Sequence, residues 1–182
     1  MSPKTVGVVS LFAIFLTGCS STSLDMKIGE PILDTKSLVG IWVDERGSEV
    51  RIENAGGDML LGGKLEFNQD KLVFEAVTGR IWLTRVDKAE LLLLAHKDVD
   101  EFYFSLIEER GLDRIVLRKS DDKVFRKAIS EGMLQGKLIG TGEDARGVLS
   151  VNTRDFATFL TKMGVETCFP AVNAGTLKRK KM

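Results

Sequence analysis

The chain has 182 residues, with 26 basic and 26 acidic side chains and a single histidine, so its formal net charge is +0. That balance excludes the broad cationic field that draws a protein to nucleic acid. Hydrophobic residues make up 43% and charged residues 29%, ordinary globular usage that excludes disorder along most of the length.

The N-terminus carries the most specific signal. Lys4 precedes an apolar run from Val6 to Leu16, which ends in Leu16-Thr17-Gly18-Cys19. A charged n-region, a short h-region and small residues ahead of a cysteine form a signal peptide. The run is far shorter than the ~20 apolar residues a membrane-spanning helix needs. The tetrapeptide resembles the lipobox of bacterial lipoproteins. The resemblance implies removal of residues 1–18, a diacylglyceryl thioether on Cys19 and a third acyl chain, such as palmitate, on its new amino group. Ser20 follows where Asp would retain the protein in the inner membrane, which implies the periplasmic face of the cell outer membrane. Two or more acyl chains suffice for stable anchoring.

Residues 19–36 read as a lipidated tether, with Ser20 to Ser23 and Pro31 and little periodicity. Residues 37–177 read as one β-rich domain, and residues 178–182 as a basic tail that either frays or rests on anionic headgroups.

Within the domain, short runs follow one another with turn chemistry between them. Leu38–Val43 ends at Asp44-Glu-Arg-Gly47, and Glu49–Glu53 alternates with Val50 and Ile52 on one face. Lys64–Asn68 is expected to turn through residues 68–71 into Leu72–Val77, and Thr78-Gly79 to turn again into Arg80–Val86. Glu90–His96 is apolar on both faces and predicts a central strand or one beneath a helix. Glu101–Ile107 and Asp113–Arg118 complete a meander. A helix capped by Ser120 or Asp121 is expected to about Glu131, with Gly132 at its C-terminal end. Gln135–Ile139 and Gly147–Val151 read as strands. A second helix, Arg154–Met163, is capped by Asn152 or Thr153 and places Phe156, Phe159, Leu160 and Met163 on one stripe. Residues 169–173 read as an edge segment. The predicted fold is mainly β, an antiparallel meander forming a barrel or strongly curved sheet, with two amphipathic helices in the C-terminal third.

Catalytic machinery is not evident, and the expectation is a non-enzyme without cofactor or metal. Lipidation consumes Cys19, which leaves Cys168 without a partner in an oxidising compartment and reads as a buried small hydrophobe. His96 sits at a strand end with no serine or cysteine nucleophile motif to serve. Gly140-Thr-Gly142 lacks the third glycine of a nucleotide loop. Asp98, Asp100 and Glu101 crowd one loop without calcium-hand spacing and read as a solvated turn.

Gly40-Ile-Trp42, opening the first strand of the meander, resembles the Gly-x-Trp motif of lipocalins, barrels that enclose an apolar ligand. The resemblance implies that Trp42 closes one end of a barrel and that Phe67, Phe74, Trp82, Phe102 and Phe104 line its interior. The first functional expectation is therefore a binding module for an apolar or envelope-derived ligand. The alternative is a structural or accessory subunit of a cell-envelope assembly acting through protein contacts. Nucleic acid is not an expected partner.

Overall fold

The computed structural model describes residues 22–68, 73–96, 100–142 and 145–181, and within these the side chains of 66–68 and 73–75 are left aside. Cys19, Asp98, the 69–71 turn and the side chains of Phe67 and Phe74 thus lie outside what is described.

Eight strands close into an antiparallel barrel. They are β3 (Gly40–Asp44), β4 (Glu49–Gly56), β5 (Met59–Asn68), β6 (Val73–Val86), β7 (Ala89–His96), β8 (Tyr103–Arg110), β9 (Arg114–Lys119) and β12 (Ala174–Arg179). Neighbours in sequence pair from β3 to β9, and β12 then lies between β9 and β3 to complete the ring. The chain begins with β1 (Thr22–Leu24) and β2 (Glu30–Pro31); β2 adds to the last part of β6, where β5 has ended. A separate small sheet has the order β1-β11-β10, with β10 spanning Gly136–Ile139 and β11 spanning Arg146–Leu149.

Three helices pack outside the barrel: α1 (Asp122–Ser130), α2 (Thr153–Met163) and the short α3 (Val165–Cys168). Asp121 caps α1 by accepting from the Lys123 and Val124 amides, and Asn152 caps α2 by accepting from Asp155 N at 2.9 Å. Both predicted caps are therefore in place. Gly136 and Gly147 let α1 lie close on the small sheet, since a Cβ at either would meet the Ile129 side chain within 3.0–3.3 Å.

Several expectations are corrected. Thr78-Gly79 is not a turn: β6 runs through it as one strand, with Gly79 paired to Gly62 on one side and His96 on the other. Two glycines facing each other remove the side chains that would resist strong coiling of the sheet there. The segment 169–173 is a short 3-10 turn, Ala171–Asn173, leading into β12. The basic tail is largely built into the barrel, with Lys178 and Arg179 in β12 and Lys180 N donating to Ile41 O at 2.8 Å. The tether is corrected too. From Thr22 onward the chain is folded: β1 is fully buried, and Ile28 and Ile32 are 2% and 9% exposed.

Two apolar cores share the barrel wall. One fills the interior: Leu38, Trp42, Val50, Ile52, Leu60, Ile81, Leu83, Leu92, Leu94, Ile107, Ile115, Leu117 and Leu177 are all 8% exposed or less. The other lies between the outer wall and the helices and contains Trp82, Leu91, Leu93, Phe104, Phe125, Phe156, Phe159 and Phe169. β7 serves both, which is why Leu91 to Leu94 are apolar without a break.

Candidate functional site

Trp42 projects from β3 into the interior, is fully buried, and donates from Nε1 to Leu38 O at 2.7 Å. Arg179 comes from β12, directly across the ladder from Trp42, and its guanidinium carbon lies 4.4 Å from the indole centroid. Arg179 also donates to Val39 O at 2.8 Å, to Ser37 O at 2.7 Å and to Leu112 O. One cation thereby satisfies carbonyls from the segment before β3 and from the β8–β9 turn while covering an aromatic face. Gly40 is required by this arrangement. A Cβ there would lie 2.3 Å from Arg179 Nη1, and its φ of +143° is one that residues with side chains rarely adopt. The spacing Gly40-x-Trp42 thus has a local cause: the glycine makes room for the arginine that covers the tryptophan.

The expected aromatic lining is corrected. Of the described members, only Trp42 is interior. Trp82 and Phe104 point outward into the core beneath the helices, and half-buried Phe102 packs against that same core. Along β6 the inward positions are Ile81 and Leu83, with Trp82 between them on the opposite face. Trp82 meets Phe102 edge-on at 5.4 Å, with Lys27 Nζ 4.9 Å from its ring centroid. Phe104 is the hub of the outer core, edge-on to Phe125 at 5.2 Å, Phe156 at 5.7 Å and Phe169 at 6.0 Å.

The interior around Trp42 is packed with aliphatic side chains. A side chain bordering a void large enough for water retains accessible surface, and these retain almost none. An eight-stranded barrel is just wide enough to be filled in this way or to hold one small ligand. Toward the other end the inward layer turns polar. Asp44 is 6% exposed, and its Oδ1 accepts from the Arg46 and Ser48 amides while Oδ2 has no partner. Tyr103, Ser105 and His96 in that layer are half-buried.

Within the carboxylate cluster, Glu101 is tied into the structure. It accepts from Nη1 and Nη2 of Arg146 and from Ser23 Oγ at 2.8 Å, joining the segment before β8 to the small sheet. The Arg146 hydrogen bonds hold its carboxyl below the usual range against the opposing effect of burial. Glu101 is therefore not part of a solvated turn, whereas Asp100 is exposed as that reading expects and Asp98 lies outside the described residues. Among the described residues no group of three or more His, Cys, Asp or Glu is placed to hold a metal ion. Cys168 is fully buried, and burial, aided by the nearby Asp121 carboxylate, pushes its thiol up to about 12.

Outside the barrel, none of the described helices packs on the opposite face. A shallow groove of about 490 Å³ runs over β3 to β6 between Ile41, Arg51, Gly63, Leu65 and Thr78. Leu65 and Leu61 are 70% and 43% exposed on the same strand. Sequence reasoning missed Arg179 and this face. No local pattern links Arg179 to Trp42, and the alternation of Lys64–Asn68 predicts Leu65 inward, whereas it is Lys64 that is buried and Leu65 that faces out.

Fold and plug define the class: a closed eight-stranded antiparallel barrel with one end stoppered and helices packed on part of its outer wall. No family model, curated protein or solved structure matches the chain. No helix among the described residues is long and apolar enough to cross a membrane.

Proposed function

We propose that this protein is a lipid-anchored accessory subunit of the cell envelope, held at the periplasmic face of the outer membrane by an acylated Cys19, and that it acts through protein contacts. The observation that carries the contact role is the packed aliphatic interior around Trp42. Such an interior makes the barrel a rigid body and leaves recognition to its surface. The β3–β6 face, with Leu61 and Leu65 exposed among the described residues beside Arg51, is where an apolar patch rimmed by charge could be covered. The lipobox-like Leu16-Thr17-Gly18-Cys19 supports the anchor.

A photo-crosslinking residue placed at Leu65 in cells tests this, with Val172, 88% exposed, as control. The expected result is one discrete protein adduct at Leu65 and none at Val172. Equal, diffuse adducts at both would remove the assigned face.

A second reading, a carrier for an apolar ligand, is favoured by the polar layer around Asp44 and Tyr103. There Asp44 Oδ2 is buried without a partner, and a ligand's hydroxyl or amide could supply one. Such a ligand would sit above the packed aliphatic layers rather than among the aromatics.

A further inference from the structure

The body of the protein begins almost at the anchoring residue. Only Ser20 and Ser21 separate Cys19 from Thr22, which is fully buried and paired to Gly147. Three residue steps reach at most ~10 Å. The headgroup layer on each side of a bilayer is itself roughly 5–8 Å thick. A domain attached in this way has no room to stand off from the lipid, so the end of the fold where β1 starts must meet the surface.

That end has a definite composition. β1 and β11 run parallel, so both start there, and β10, antiparallel to β11, finishes there. Thr22 is in register with Gly147, which is in register with Leu138, and Ile139 is in register with Arg146. Helix α1 also starts there, because Thr22 N donates to Asp122 Oδ1 at 3.0 Å. Every residue of β10 is exposed, and Leu138 and Ile139 are 42% and 38% exposed. Lys123, Arg126 and Lys127 of α1 line a groove with Leu138, and Arg126 donates to Ala145 O at 2.9 Å.

We propose, resting on the anchored reading above, that this end of the small sheet docks on the bilayer. Leu138 and Ile139 enter the headgroup boundary, and the Lys123 and Lys127 stems lie along it with their ammonium groups toward phosphate. The charge of this end is mixed. Asp121 and Asp122 open α1 at this end, Glu131 pairs with Lys127 at 3.7 Å, and the sequence places Glu143 and Asp144, outside the described residues, next to Ala145. The contact is therefore carried by the two apolar side chains and by the short leash, and it persists at high salt. Docking also covers the outer edge of β10, which pairs only with β11 among the described residues.

The test uses the acylated full-length protein in phosphatidylethanolamine/phosphatidylglycerol (3:1) vesicles. An environment-sensitive dye is attached at Ile139→Cys and, as control, at Leu112→Cys. Leu112 is 75% exposed in the β8–β9 turn, and β8, Tyr103–Arg110, separates it from the Phe102 bridge to Leu24 by ~25 Å. The native Cys168 is buried and Cys19 is blocked by its lipid. The expected result is blue-shifted emission at 139, quenched at least twofold by a nitroxide carried high on the acyl chain, with no change at 112. A second variant, Leu138→Asp with Ile139→Asp, should keep its melting temperature and lose the additional slowing of amide exchange that vesicles bring over residues 137–142. Water-like emission at 139 in a protein whose intact mass confirms acylation overturns the docking face and leaves the anchor standing. That outcome would instead leave the β10 edge for a partner strand. An intact mass without acyl chains overturns the anchor, and the docking inference with it.

Discussion

Arg179 and Trp42 are directly paired across β12 and β3, and the guanidinium that covers the indole also binds carbonyls of Ser37, Val39 and Leu112. The pair is the point at which the last strand locks the first, so it closes the barrel in both the topological and the steric sense.

Removing the arginine should therefore cost more than a surface charge does. Arg179→Met keeps the stem and loses three charged hydrogen bonds and the cation–π contact, with an expected loss of ~2–4 kcal/mol. Arg179→Lys keeps the charge without the fork and should lose ~1–2 kcal/mol. Gly40→Ala should destabilise through the same group, because the new Cβ displaces Nη1. Urea unfolding followed by tryptophan emission measures all three, and equal stability of all variants with the native chain would refute the plug.

Phe104 holds the helices to the barrel. Phe104→Ala removes edge contacts to Phe125, Phe156 and Phe169 and should cost ~3–5 kcal/mol. Amide exchange should accelerate first in α1 and α2, while β4 on the far wall stays protected. Loss of protection in β4 ahead of the helices would place Phe104 in the wrong core.

Both cores bear on how far the sequence could be read. Alternation along β6 and β8 separates the two faces correctly, but it does not say which face is inside. In most barrels the polar face is outside; here the helices cover part of the outer wall, so both faces are apolar. Bulk then misleads: Trp82 and Phe104 look like lining, yet the narrow interior takes the branched aliphatics Ile81, Leu83 and Ile107. β12 was hidden for a different reason. Its one buried residue is Leu177, and the lysines beside it read as a solvated tail because their pairing partners are distant in sequence. The unbroken Leu91–Leu94 run was legible, since only a strand buried on both faces needs it.

Acid should loosen the small sheet. Arg146 lowers the folded-state pKa of Glu101 from its ordinary 4.5, so the carboxylate adds stability above that value. The contribution disappears as pH falls from about 4.5 through the lowered folded value. Glu101→Gln should be ~1–2 kcal/mol less stable at pH 7 and show a flatter loss on acidification. Thermal melts from pH 7 to pH 3 measure this, and parallel curves for the two proteins would contradict it.

Cys168 should be inert in the folded state. With its thiol raised to about 12 and fully buried, alkylation by iodoacetamide at pH 8 should be negligible over hours and immediate in denaturant. Rapid native labelling would show that the α3 region opens.

The central claim is that the barrel is a packed body working from its surface. Native mass spectrometry of the full-length protein purified from cells tests it most directly. The account predicts the polypeptide with only its covalent modifications and nothing released on unfolding. A small molecule that co-purifies in a fixed ratio and leaves on denaturation would contradict it and make the protein a carrier.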